Sequence, residues 1–552
     1  MKKTIKAAAF LLAVCVLLSG CAKDDAHTHN GVIVTTSLEG KPALVGDIPC
    51  AFPLSTQPQT LNILASGYED IDHKDVYVWK KYQEMTGVDV NWTTVKRSER
   101  AEAVAAALMN RQSIDLILRC KISSSRLTQY GESGLILDLA KDGLLEKNAP
   151  NCWAYLQAHP ETLASITNPD GAIYALPQVN AGAELRVSRK IFINKAWLEN
   201  VHMEVPKTTE EFYQLLKAFK EQDANGNGDP NDEVPFSSQD WASIQEAFFG
   251  AYGLGNRGAH NLIVDLDEQT GRVRLIAASD AYKAYLAYFR RLYAEGLLDN
   301  YIFTMTTEQW YNYAQKDLLG AFVNTNLATL PADRMDDWVA VEEALEGPEG
   351  DKLWSAIRAN FHSTGAAVIP AACKDPALAL RWLDYFWTDE GTLFYHMGVE
   401  GETFTSNADG AYDYMPYIYE EMKTGNQSFD DVVARYSPYP GGGNPTVEIA
   451  PYFMGGEMAP VPAQAARALF AYGPAEYWPS FTFTAAENET LGTIQTDIEK
   501  YCTAMRIEFI TGTRPLSDWD AYKAQLDGLK ASELLSIYQA AVDRYYALNA
   551  AH

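Results

Sequence analysis

Cysteine is scarce and scattered. The 552-residue chain has seven, none in a CxxC pair. Cys15 and Cys21 lie in the N-terminal segment, which leaves Cys50, Cys120, Cys152, Cys373 and Cys502, an odd number at wide spacing. That excludes a disulfide framework or a zinc cluster and supports at most one bridge. Positive charge is also short: 45 Lys and Arg stand against 72 Asp and Glu, a formal charge of −27. Such an acidic surface disfavours nucleic acid and offers no polybasic membrane contact, but says little about a neutral ligand. Beyond the N-terminus no apolar run reaches ~18 residues, so no later segment spans a bilayer. HExxH and GxSxG are absent. The stretch "GLGNRG" (Gly253 to Gly258) fits GxGxxG but has no strand before it and no βαβ unit around it. "GGGN" (Gly441 to Asn444) lacks the Lys-Ser/Thr of a phosphate loop and reads as a flexible turn. No fixed-period repeat is visible, which excludes a solenoid.

The N-terminus is informative. Lys2, Lys3 and Lys6 precede an apolar run from Ala7 to Leu18, too short to span a bilayer permanently and typical of a signal segment. Leu18-Ser19-Gly20-Cys21 looks like a lipobox: cleavage falls before Cys21, whose thiol takes the lipid. The alternative is an ordinary secretory signal with an incidental Cys. Several acyl chains would anchor the mature chain stably on the outer face of the cell membrane. Residues 1–20 are thus the signal peptide, and 21–57 read as lipidated Cys21 and a flexible tether without strand or helix periodicity. His27 and His29 in that tether could bind a metal, but read more simply as linker.

About 500 residues remain, enough for two or more domains. The first folded part alternates. "TLNILAS" (Thr60 to Ser66) reads as a strand, His73 to Gly87 as an amphipathic helix stopped by Gly87, and Val88 to Val95 as a strand. Ser98 to Asn110 reads as a helix capped by Ser98, and Ile114 to Cys120 as a buried strand. This βαβαβ order predicts an α/β lobe with a parallel sheet. "GAIYALP" reads as a short strand ending at Pro177, and Thr209 to Gln222 as a helix with Phe212, Leu215, Leu216 and Phe219 on one face. A helix begins at Ser279 or Asp280 and stops at Gly296. Another is capped by Asp375 with Pro376 in its first turn. The C-terminal part is mostly helical.

Between the helix at 209–222 and the next strand lies "EQDANGNGDPNDEVPF". Asp223, Asn225, Asn227 and Gly228 occupy positions 1, 3, 5 and 6 of an EF-hand-like spacing, and a carbonyl near Asp229 would add a ligand. Position 12, which wants a bidentate Glu, is Val234; Asp232 and Glu233 come just before it. Hard oxygen donors favour Ca²⁺. The competing reading is an Asx-rich turn that caps the preceding helix. On either reading the loop is structural.

Five stretches together resemble the family 1 extracellular solute-binding proteins of bacterial ABC importers. They are "TGVDV", "KIFINKAWLENVHMEVPKTTEEFYQLLKAFKEQDANGNGDPNDEVPF", "LYAEGLLD", "ALALRWLDYFWTDEGTLFYHMGVEGETF" and "ELLSIYQAAVDRYYA". The likeness covers nearly everything after Pro58. It implies an α/β clamp of two lobes with a ligand cleft between them and several chain crossovers. Lobe I would use 58–165 and about 362–425; lobe II would use 166–361 and about 426–552. In the family a similar loop has its shell closed by the adjacent Asp-Glu pair, here Asp232 and Glu233. That loop is often one residue shorter, so the place of Asn231 stays open. The implied function is capture of a carbohydrate, an oligosaccharide, for an ABC permease by a monomer that does no chemistry. A surface glycoside hydrolase with hidden carboxylates and a binding module for a sensor kinase are the alternatives. Candidate ligand contacts are Arg186, Trp241, Trp310, Asn324, Glu400, Glu402 and Tyr452, chosen as aromatics and polar groups near strand ends. Each competes with a purely structural role, and Glu400 with local turn-holding.

Overall fold

The computed structural model describes residues 48–551 except 230, 407–411, 426–427 and 453–455, together with three short strands within 27–46. The signal segment and Cys21 lie outside the described residues. Gln59–Ser66, Val88–Val95 and Leu116–Leu118 pair in parallel with the first strand in the middle, joined by helices Tyr77–Thr86 and Arg100–Met109. This is the predicted βαβαβ unit. Gly87 ends the first helix with φ 66° and donates its N–H to the Gln83 carbonyl. Ser98 is not the cap of the second; that helix starts behind Glu99, without a side-chain cap.

Three further strands complete a six-stranded mixed sheet, in the order Val447–Ile449, Leu176–Ala181, Phe361–Val368, Leu116–Leu118, Gln59–Ser66, Val88–Val95. The strand read as ending at Pro177 instead begins at Leu176 and runs to Ala181; Ile173 makes only an isolated bridge to Thr167. Pro177 is tolerated there because the pairing shifts register between Ser363 and Ala367, leaving no ladder bond for the missing N–H. The sheet therefore takes in Leu176–Ala181 and Val447–Ile449, segments that the sequence reading had put in the second lobe. Both are short and carry polar residues, which hid them. The core of this lobe is aromatic: Trp79 stacks on Trp382 with centroids 5.5 Å apart, and Tyr82 donates its hydroxyl to the Trp382 carbonyl at 2.7 Å.

The second sheet has four strands, in the order Trp338–Ala340, Lys190–Asn194, Leu319–Asn324, Val234–Ser238. Helices Thr209–Glu221, Asp280–Ala294, Ala485–Thr511 and Ala531–Ala551 contribute to the same core, in which Phe192, Trp197, Phe236, Phe289, Phe509 and Tyr545 are buried. Thr208, Ser279 and Asp375 cap their helices, accepting from the N–H groups of Glu211, Tyr282 and Leu378. The chain passes between the two lobes three times: after Ala181 and before Phe361 between the sheets, and after Ile449 to the helices that follow.

The segment expected to be a featureless tether holds three strands, His27–His29, Val32–Thr36 and Pro42–Gly46, paired antiparallel. The β-branched run Val32–Thr36 supplies the propensity that the reading overlooked. No disulfide joins the five described cysteines. Among the described residues no helix is long and apolar enough to cross a membrane.

Candidate functional site

The three crossings surround a cavity of about 1000 Å³ between the sheets. Its wall on the six-stranded side comes from alternate positions of two paired strands. Gln178 and Asn180 lie two residues apart, and Glu448 is the register partner of Asn180, so all three side chains share a face. Gln178 donates to the Asn180 side chain at 3.1 Å. Its own oxygen accepts from the N–H groups of Gly443 and Asn444, at 2.5 and 3.2 Å.

Those N–H groups belong to the "GGGN" turn. Gly441, Gly442 and Gly443 all have positive φ, 92°, 68° and 82°, a path open to glycine at little cost. The turn is not loose. The buried Arg119 guanidinium donates to the carbonyls of Pro440 and Gly442. Gly442 could not carry a side chain without pressing on Lys121, whose Nζ would lie 3.0 Å from its Cβ. Arg119 and Lys121 themselves adopt left-handed backbone, φ 60° and 47°, strain of a kind that collects at binding sites. Arg119→Met should strip two carbonyls of their donor. We expect it to cost about 2–3 kcal/mol of stability, read as a lower urea midpoint with unchanged slope.

Lys121 makes no hydrogen bond or ion pair with a described residue, and burial holds its ammonium below the usual lysine range, with Arg100 and Arg119 adding to the effect. Across the cavity Arg189 and Arg358 flank buried Glu246, at 4.0 and 3.9 Å, while Ser188 donates to Glu246 at 2.7 Å. Glu184 takes Arg467 at 2.8 Å on one oxygen, and its other oxygen is buried without a hydrogen-bond partner. Tyr68, Tyr419, Phe429 and Tyr439 supply ring faces, and Asp430 and Glu457 complete the acidic lining. Glu448 is buried and accepts from the Asn444 amide at 2.6 Å; desolvation pushes its carboxyl up to about 7.

The charged and polar lining of this cavity suits a polar solute. The family model for bacterial extracellular solute-binding proteins matches residues 71–392. The chain belongs to that family. Among relatives of this solute-binding protein is the fructooligosaccharide ABC transporter substrate-binding protein FusA of Streptococcus pneumoniae serotype 4, 26% identical over 90% of this chain and 92% of FusA. A solved FusA "EF-hand mutant" in complex with fructo-nystose covers 89% of this chain and 100% of its own at TM-score 0.70 and 23% identity. An HMO-binding, ABC-transporter-associated protein from Bifidobacterium longum infantis covers 88% and 99% at TM-score 0.73 and 21% identity. The alginate-binding protein AlgQ2, solved without calcium ion, covers 90% and 100% at 0.68 and 22%.

None of the seven ligand candidates read from the sequence lines the cavity of this solute-binding protein. Arg186 comes nearest; it is buried behind the wall, donates Nε to the Arg358 carbonyl at 2.8 Å and stacks on Tyr477 at 4.5 Å. Trp241 packs on Phe289 and Phe303, and Trp310 on Phe322, both in the core. Asn324 precedes the lining residue Thr325 but spends its amide on Thr329 at 2.8 Å. Glu400 holds a turn by accepting from Ser406 at 2.5 Å. Glu402 accepts from Tyr77 and pairs with Lys81 at 3.3 Å. Tyr452 is buried and donates to Asp389.

The acidic loop is ordered by its own groups. Asp223 accepts from Gly228 N–H at 2.8 Å, and Glu233 from Ala224 N–H at 3.1 Å. Asn225 and Asn227 both turn their amide nitrogens onto Asp232, at 3.0 and 2.8 Å. Among the described residues Asp229 accepts from Asn231, at 3.2 and 3.3 Å. Among the described residues no three His, Cys, Asp or Glu side chains converge as a metal cluster. Yet one oxygen each of Asp223 and Glu233 is buried with no hydrogen-bond partner, and burial raises the Glu233 carboxyl, with Asp232 and Asp223 pushing the same way.

Proposed function

We propose that this chain is the lipid-anchored substrate-binding component of an ABC importer, and that it captures an oligosaccharide outside the membrane for delivery to the permease. The cavity carries the reading: paired carboxylates, guanidinium groups and amides facing one another across ring faces match the vicinal hydroxyls and apolar faces of sugar rings. The likeness to FusA across nine-tenths of the chain supports the same ligand class. The lipobox at Leu18 to Cys21 supports the anchor. Closing the two lobes on a glycan would present the permease with a shape that the open form lacks.

Calcium in the 223–233 loop fits the residues present. Two orphaned carboxylate oxygens and a like-charge cluster are what a hard cation would satisfy. Asp223, Asp232, Glu233 and the side-chain oxygens of Asn225 and Asn227 would hold it, after both amides turn over; Asp229 would contribute through the chain beside it. The ion would tie the end of helix Thr209–Glu221 to strand Val234–Ser238 and take no part in ligand binding.

The test is a thermal-shift and calorimetry screen of the chain lacking residues 1–20 against fructo-, galacto- and manno-oligosaccharides, with the glycan recovered afterwards by mass spectrometry. Binding with the glycan returned intact supports capture. Hydrolysis would turn the reading to an enzyme, and no binding to any glycan would remove the carbohydrate class.

A further inference from the structure

A second cavity of about 510 Å³ opens beside the first, and Lys121 lines both. The chemistry changes at that lysine. The first cavity is charged; the second offers hydroxyls and amides from Ser123, Ser125, Asn488, Gln495 and Thr496, with Glu499 as its other charge. Its floor is aromatic: Phe483 meets Tyr538 edge to face at 5.3 Å, and the Tyr538 hydroxyl donates to Gln495 at 3.1 Å, fixing ring and amide together. Ser124 Oγ is buried there without a hydrogen-bond partner.

Both lobes build it. Helix Ser124–Glu132 belongs to the six-stranded side and helix Ala485–Thr511 to the other. The two sides meet where Thr482 donates to the Thr167 carbonyl at 3.0 Å and the Thr128 hydroxyl lies 3.4 Å from the Phe483 carbonyl. The second cavity is therefore interlobe space like the first. A wall residue is also cut away: a Cβ placed on Gly492 would meet nothing within 4 Å.

We propose that the second cavity continues the ligand cleft, so that a bound oligosaccharide runs past Lys121 and lays its further sugar units on Phe483 and Tyr538. Neutral hydroxyl and amide partners over an aromatic floor suit uncharged pyranose or furanose rings, and the Lys121 ammonium would donate to the passing hydroxyl oxygens. The inference rests on the carbohydrate reading above and adds a length preference to it.

Calorimetry with fructo-, galacto- and manno-oligosaccharides, each from trisaccharide to hexasaccharide, tests it on the chain lacking residues 1–20. In the series that binds, the hexasaccharide should bind at least about tenfold more tightly than the trisaccharide. Gly492→Trp fills the open space, and replacing a mid-helix glycine favours the helix, so the variant should fold and melt no lower than the parent. It should bring the affinity ratio to about one, while Gly492→Ala keeps it near the parent value. Affinity that is flat with length overturns the inference and leaves the carbohydrate reading standing, as does a ratio that survives Gly492→Trp. Failure of all three series to bind removes both.

Discussion

Chelating calcium is expected to lower the melting temperature by about 8 °C, taking ~4 kcal/mol for free calcium about 1,000-fold above its dissociation constant and roughly 2 °C per kcal/mol for a lobe of about 250 residues. Asp223→Ala should melt near the chelated value and lose the response to added calcium. The expectation comes from what the loop does without an ion. Its N–H groups are satisfied by its own side chains, yet two carboxylate oxygens are buried unpaired and three acidic groups crowd together. An uncompensated buried carboxylate is costly, and a divalent cation relieves the desolvation and the repulsion together. The effect should be confined to stability: glycan affinity of the calcium-saturated and chelated forms should agree well below the melting transition. A melting temperature indifferent to chelator would return the loop to an Asx-rich turn capping helix Thr209–Glu221.

The fold was legible where apolar periodicity was strong. The βαβαβ unit, helix Thr209–Glu221 and the Asp375-Pro376 helix start all stand close to where spacing and caps put them. The cavity was not, because it is built from departures from periodicity. Leu176–Ala181 and Val447–Ile449 are strands broken by Gln178, Asn180 and Glu448, and a strand with polar residues inside looks like a loop. The signal was there in retrospect: a lone acidic residue in "TVEIA" and two amides at period 2 in "LPQVNA" mark faces that point into a polar space. The seven ligand candidates lie outside this cavity for the opposite reason. Trp241 and Trp310 are aromatics near strand ends, but large rings in such places first serve the core, and both are buried there. "GGGN" has no phosphate-loop chemistry. Its role is steric: three left-handed residues let the backbone approach Gln178 and Lys121.

Glu448→Gln is expected to stabilise the protein and weaken its ligand binding at once. The carboxyl titrates at about 7 in the fold, with burial the largest cause; the Asn444 and Gln178 side chains and Lys121 pull it down, and Glu457 pushes it up. An unfolded glutamate titrates near 4.3. Between those values the folded chain holds a proton that the unfolded chain releases, so stability falls as pH rises through this window. Above pH 7 the full cost, about 4 kcal/mol, is present; below pH 4 it vanishes. The glutamine variant keeps an oxygen for the Asn444 amide and has no charge to bury. Its melting temperature should exceed the parent's at pH 8 and match it at pH 4, in melts without ligand. Its glycan affinity at pH 8 should drop about 10- to 100-fold, the worth of a charge-assisted hydrogen bond from a sugar hydroxyl. A carboxylate with no part in binding would give the same rise in stability with affinity unchanged. A buried charge that the fold would be steadier without is best explained by the ligand that it meets.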